Sequence, residues 1–237
     1  MCSLLFQTTP DYEQNLQTLL DLIKQTPDKS VIVAPEVCLT GYDYDNFEAM
    51  LALSAHATRE LKKVSQEKII ILTMLERKGE DLFNFAKVFY KGEVIYSQAK
   101  AKLFKFGDEH KYMKAGEDKD INIIEVAGIK IGILICFELR FKELWQKLEG
   151  ADIIAVPAWW GKLREENFTT LTQALAVMNQ CYLVASDAQN EECTAQSGII
   201  TPFGIAQRNG NKPCLEVPYE PKEIKKMRKY MAVGIDG

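Results

Sequence analysis

Apolar residues recur along this chain with two different periods. Leu16, Leu19, Leu20 and Ile23 fall at three- and four-residue steps within 11–25, which predicts an amphipathic helix with one buried face. Met50, Leu53, Ala57, Leu61 and Val64 predict a second helix over 46–67 in the same way. Between them, 30–34 (Ser-Val-Ile-Val-Ala) is an unbroken β-branched run, the pattern of a strand covered on both faces. Further strands are predicted over 3–7, 68–75, 84–90, 93–97, 121–126, 129–135, 153–156, 182–186, 198–201 and 214–217. Helices are predicted over 141–148, 167–179 and Pro221–Tyr230. Lys91-Gly92 and Ala127-Gly128 read as hairpin turns. Buried strands alternating with helices and hairpins predict a mixed α/β protein of layered sheets. No repeat or linker divides the chain, so residues 1–237 read as one domain.

Composition narrows the chemistry. Apolar residues make up 47% of the chain, enough for a large core, and the net charge of −4 speaks against a nucleic-acid surface. The one basic cluster, Lys222 to Lys229, is broken by Glu223, Ile224 and Met227, as on a solvated helix face. No apolar stretch approaches the ~20 residues of a membrane span. Residues 1–10 lack the positive charge that opens a signal peptide, and cysteines without a pairing pattern predict a reducing, cytoplasmic setting. The six cysteines, at 2, 38, 136, 181, 193 and 214, form no C-x-x-C pair and no regular spacing. Neither a disulfide framework nor a zinc site is suggested, and no metal or cofactor is expected. Only His56 and His110 are available, neither in a motif-like setting. The reactive groups must therefore come from Cys, Glu, Lys and Asp.

Three predicted strands run into such groups. The strand at 30–34 leads to Pro35-Glu36, the strand at 93–97 to Ala99-Lys100, and the aliphatic run at 129–135 directly to Cys136-Phe137-Glu138. Strand ends in layered α/β proteins are where rigidly held loops gather ligands. A cysteine between a strand and a helix is expected to be a low-pKa nucleophile, helped by the helix N-terminus and a nearby ammonium. Each residue alone also has a plainer reading: Cys136 as a small core hydrophobe, Glu36 as an acceptor of backbone N–H bonds, Lys100 as a surface lysine.

Local patterns around these positions resemble the nitrilase, or carbon–nitrogen hydrolase, superfamily over almost the whole chain. Ala34-Pro35-Glu36 followed by Leu39-Thr40-Gly41-Tyr42 is similar to its "PE…TGY" signature. Lys100-Ala-Lys-Leu-Phe104 resembles its "K-x-x-L-F" segment, and Cys136-Phe-Glu-Leu-Arg-Phe141 its "CYDxRFPE" motif. Glu109, seven residues before Gly116, resembles its second active-site glutamate. Pro157-Ala158-Trp159 and Ser197-Gly198…Thr201-Pro202-Phe203-Gly204 fit later landmarks. Three positions depart: Glu138 stands where aspartate is commoner, Lys142 replaces a proline, and the "RAxEN" helix is reduced to 176–179.

The resemblance implies a four-layer α-β-β-α sandwich of two mixed sheets flanked by helices, dimerising back to back. It implies catalysis by Glu36 as general base, Lys100 (rather than Lys102) as oxyanion stabiliser, Cys136 as nucleophile and Glu109 in support. Leu139-Arg140-Phe141 favours the amidase-like Nit and omega-amidase branch, and the lack of spans excludes the membrane acyltransferases. The implied partner is a small amide or carbamoyl compound. Tyr42, Phe137, Arg140 and Trp159 are expected to line its pocket, with Arg140 and Lys102 as candidates for gripping a carboxylate. Arg140 suits a structural ion pair equally well, and Trp159-Trp160 suits core or interface packing. Two enzymatic readings stay open, an omega-amidase-like hydrolase and an N-carbamoyl amide hydrolase, beside a catalytically idle binding member. The intact Cys-Glu-Lys set speaks against the last.

Overall fold

The computed structural model describes residues 1–235; the last two residues of the expected 1–237 domain lie outside the described residues. In chain order the elements are β1 (Cys2–Leu4), α1 (Tyr12–Gln25), β2 (Val31–Val33), α2 (Phe47–Val64), β3 (Ile69–Lys78), β4 (Asp81–Tyr90), β5 (Glu93–Ala99) and α3 (Glu109–Tyr112). There follow β6 (Ile124–Val126), β7 (Ile129–Ile133), α4 (Lys142–Lys147), β8 (Ile153–Ala158), α5 (Glu165–Met178) and β9 (Tyr182–Asp187). The last are β10 (Gly198–Ile200), β11 (Ala206–Arg208), β12 (Cys214–Glu216) and α6 (Pro221–Tyr230).

The strands form two six-stranded sheets, ordered β12-β1-β2-β3-β4-β5 and β11-β10-β9-β8-β7-β6. Both are mixed. In each, three central strands run parallel (β1, β2, β3 and β7, β8, β9) and antiparallel strands close the sides. The outer face of the first sheet, with Leu4, Ile32, Ile70 and Leu72, packs on α1 and α2. Its inner face, with Val31, Val33, Ile69 and Ile71, shares one core with the second sheet, whose far side carries α4 and α5. The result is the expected four-layer sandwich. Helix α1 shows how the sequence sets the outer layer. Asp11 caps it by accepting the Gln14 N–H at 2.9 Å, and Leu16, Leu19, Leu20 and Ile23 are buried along one face. Each such side chain contributes about 1.5–3 kcal/mol on burial. Polar bonds also stitch the sheets together: Ser186 Oγ donates to the Leu4 carbonyl at 2.6 Å and Gln98 Nε2 to the Ile133 carbonyl at 3.1 Å.

Several boundaries differ from the sequence pattern in ways that shape the site. Pairing of Phe85 with Ala99 carries β5 two residues beyond its predicted end, so Lys100 leaves directly from the sheet. Strand β7 stops at Ile133, earlier than predicted, and Leu134 bonds to Ala155 before the chain turns sharply. The 121–126 strand is reduced to β6 after a short 3-10 turn at Asp118–Asp120. The short elements α3 and β11 carry no periodic signal and were not predicted.

Candidate active site

The expected groups converge where the two sheets meet. Glu36 follows β2, Lys100 follows β5, and Cys136 follows β7 of the other sheet. The seam is closed by the Glu36 N–H, which donates to Ala158 at the end of β8 at 3.2 Å. Gly41 lets the Thr-Gly-Tyr turn close over this region. It has φ +64°, and a Cβ there would sit 3.4 Å from the Trp159 ring.

Lys100 is fully buried, and its ammonium lies between two carboxylates. Nζ donates to Glu36 Oε1 at 2.7 Å and to Glu109 Oε1 at 2.7 Å, with the Tyr42 hydroxyl oxygen at 3.4 Å. Burial alone would lower its pKa, but Glu36 and Glu109 outweigh that and hold it above its ordinary value. Glu109 sits on α3. Its Oε1 accepts from Tyr42 at 3.1 Å and its Oε2 from the Phe104 N–H at 3.0 Å. Burial raises the Glu109 pKa, with Lys100 opposing. Glu36 Oε1 also accepts from Asn84 Nδ2 at 2.9 Å. Glu36 Oε2 is buried with no hydrogen-bond partner among the described residues.

Cys136 is 7% exposed, and its Sγ lies 3.6 Å from the Trp159 carbonyl. Its backbone is left-handed, φ +46°, which a non-glycine residue adopts only where the surroundings enforce it. Burial, and then the Glu36 charge, push the thiol well above its ordinary pKa, with Lys100 pulling the other way. This corrects the expectation of a low-pKa cysteine. The ammonium is present, but desolvation outweighs it and the shift is upward.

The scaffold around these groups is itself hydrogen-bonded. Glu138 accepts the Ala101 N–H at 2.6 Å on one oxygen and the Ile135 N–H at 2.7 Å on the other, clasping the neighbours of Lys100 and Cys136. Asp187, at the end of β9, accepts the Trp160 N–H at 2.8 Å and the Thr194 hydroxyl at 2.6 Å. Burial raises both carboxyls to about 7.

The sequence profile of the carbon-nitrogen hydrolase family matches residues 3–211. This chain belongs to the carbon–nitrogen hydrolase family. It is 30% identical to a 2-oxoglutaramate amidase of Bacillus subtilis (strain 168) over 200 residues, spanning 80% of this chain and 76% of that protein. It is 29% identical to a deaminated glutathione amidase of Escherichia coli O157:H7, spanning 96% and 93% of the two chains. Two solved structures share its fold. One is a CN-hydrolase superfamily protein from Xanthomonas campestris that carries an arsenic adduct in its active site (TM-score 0.86, 19% identity, 100% and 96% of the two chains). The other is Nit3 of Saccharomyces cerevisiae, a member of branch 10 of the nitrilase superfamily (TM-score 0.85, 23% identity, 98% and 94%).

In this carbon–nitrogen hydrolase the sulfur faces a pocket of about 20 Å³ lined by Phe104, Phe137, Arg140, Trp159, Trp160 and Arg164. Phe104 and Phe137 also border a wider apolar cleft of about 550 Å³ that includes Phe106 and Phe141. Of the residues expected to line the pocket, Phe137, Arg140 and Trp159 do so, whereas Tyr42 sits beside Lys100 and Glu109. Trp160 is almost fully buried. Lys102 ion-pairs with Asp118 at 2.6 Å and lines the wider cleft, away from the sulfur pocket. Arg140 stacks on Trp160, 5.0 Å from the ring centre, and donates to Asn167 at 2.8 Å. Arg164, which no motif pointed to, stacks on Phe104 at 5.1 Å. Asn84 and Asp187 were also missed; both act through contacts distant in sequence.

Proposed function

We propose that residues 1–237 act as one domain that hydrolyses the terminal amide of a small dicarboxylic acid monoamide, through a thioester on Cys136. The observation that carries this reading is the division of labour on Glu36. One oxygen is fixed by Lys100 and Asn84, and the other is bare. Glu36 Oε2 takes the thiol proton as sulfur attacks the carbonyl carbon. Lys100 stabilises the oxyanion, a contribution of about 3–4 kcal/mol for a well-placed donor. The proton then passes from Glu36 to the departing ammonia. Water, deprotonated by the same oxygen, cleaves the thioester and releases the acid. Glu109 holds Lys100 in place and its charge balanced throughout.

Two features support a substrate with its own carboxylate. Arg140 and Arg164 flank the thiol pocket, and neither has an acidic side chain within salt-bridge distance among the described residues. Relatives are named for 2-oxoglutaramate and deaminated glutathione, and one from Escherichia coli (strain K12) is named as an omega-amidase. The proposal places the enzyme in the cytoplasm as a back-to-back homodimer. Among the described residues no helix is long and apolar enough to cross a membrane.

Ammonia release from purified protein, measured across omega-amides, neutral amides and N-carbamoyl compounds, tests the reading. Turnover of omega-amides that is lost in Cys136→Ala is expected. Carbon dioxide release from carbamoyl compounds would move the assignment to a carbamoylase. No turnover, with Cys136 inert to iodoacetamide, would leave an idle binding protein.

A further inference from the structure

The first sheet ends in a group of side chains that the amidase chemistry does not use. Strand β12 is its edge and pairs antiparallel with β1, setting Cys2 opposite Glu216 and Leu4 opposite Cys214. Side chains alternate along a strand, and directly opposed residues share a face. Cys2, Cys214 and Glu216 therefore point to the same side of the sheet. That side is the one roofed by α1, because Cys2 and Leu4 join Leu16, Leu19 and Leu20 in one core cluster and Cys214 packs against it.

The two sulfurs and a Glu216 oxygen all lie within 4.8 Å of one another. Ligand atoms around a tetrahedral zinc ion, with bonds of about 2.0–2.3 Å, stand roughly 3.5–4 Å apart, so the group needs little movement to close on one. The exposure is graded: Cys2 is 1% exposed, Cys214 half-buried and Glu216 exposed. A metal there would have a dry inner side and an entry path beside Glu216, where water completes the coordination.

We propose that Cys2, Cys214 and Glu216 form a binding site for a thiophilic divalent cation, Zn²⁺ or its analogue Cd²⁺, that fastens β12 to β1. Two thiolates and a carboxylate match the softness of these ions and not that of Mg²⁺ or Ca²⁺. Each metal–sulfur bond forms as the thiol releases its proton to solvent, so affinity rises with pH. The donors are far apart in sequence, which is why cysteine spacing gave no hint of them. Occupancy would reinforce a three-residue edge strand.

The test uses the full chain carrying Cys136→Ala, so that the nucleophile does not take up metal, kept reduced with a phosphine. Titration with Cd²⁺, read by the thiolate charge-transfer absorbance, is expected to saturate at one equivalent. Zn²⁺ should raise the melting temperature in a concentration-dependent way. Adding Cys214→Ser should remove both signals, with folding checked by circular dichroism. Glu216→Gln, at an exposed position where folding is not at risk, should weaken binding by about tenfold or more. Absence of both signals in the parent, a parent joined by a Cys2–Cys214 disulfide under these conditions, or unchanged affinity in Glu216→Gln would each overturn the site.

Discussion

Lys100 holds Glu36 by one oxygen only: Nζ donates to Oε1 at 2.7 Å, and Oε2 is left bare in a buried setting. The ammonium fixes the carboxylate's position and leaves free the atom proposed to carry the proton. Glu36→Gln keeps an oxygen for Lys100 and Asn84 but has no basic atom. Turnover should fall by about 10²–10⁴, as for loss of a general base. The same change should make the thiol easier to ionise, because the Glu36 charge is, after burial, the next largest cause that raises its pKa. The pH profile of Cys136 alkylation by iodoacetamide should therefore shift to lower pH in Glu36→Gln while ammonia release collapses. A profile that stays in place, or moves to higher pH, would separate Glu36 from the sulfur.

Removing the cation should harm both rate and stability. Lys100→Met takes away the proposed oxyanion donor, an expected loss of about 10²–10³ in kcat. It also leaves Glu36 and Glu109 buried without their shared partner, which should destabilise the fold by about 3–5 kcal/mol. Urea denaturation and single-turnover kinetics read the two effects separately. A variant as stable as the parent would mean that the carboxylates do not depend on the lysine.

Glu138 acts at one remove. Its two oxygens tie the residue after Lys100 to the residue before Cys136, so it is a positioning residue and touches no substrate. Glu138→Gln offers an acceptor to only one of the two N–H groups and should destabilise by about 1–3 kcal/mol. The catalytic loss should appear in kcat more than in KM, since the pocket walls remain. A KM that rises as much as kcat falls would place the damage in the pocket walls instead.

Asp187 gives a prediction in pH. Burial raises its carboxyl from the ordinary 3.8 to about 7, so between those values the native state binds a proton that the unfolded chain has released. Stability from this group is therefore present in acid and lost as pH rises through that window. Asp187→Asn should flatten the fall in urea midpoint between roughly pH 4 and pH 7 relative to the parent, with Glu138 contributing a similar slope that remains. A parent midpoint that climbs over the window, or a slope unchanged in the variant, would contradict the assignment.

How far the sequence could be read depended on the range of the interactions. The runs at 30–34 and 129–135 revealed buried strands, and Glu36 and Cys136 stood out as reactive groups at their ends. Strand β5 was legible from the Lys91-Gly92 hairpin turn before it, and Lys100 from the residues that follow it. Helix α6 was placed at both ends because Pro221 starts it and its amphipathic pattern is clear. Asn84 lies inside β4 and looks like any polar strand residue until register sets its amide against Glu36. Arg164 ends a short 3-10 turn, Lys162–Arg164, and meets Phe104 only through the fold. The protonation of Cys136 was misjudged for a related reason. Charge and helix position can be read along the chain, whereas desolvation depends on everything folded around the sulfur.

The left-handed turn at residue 136 sets this protein's evolutionary options. Backbone at φ +46° suits glycine, and a side chain there adds about 1–3 kcal/mol of strain. A glycine mutant should therefore melt above the alanine mutant even though both are dead. Any L side chain at 136 is thus carried at a cost in stability that glycine would relieve.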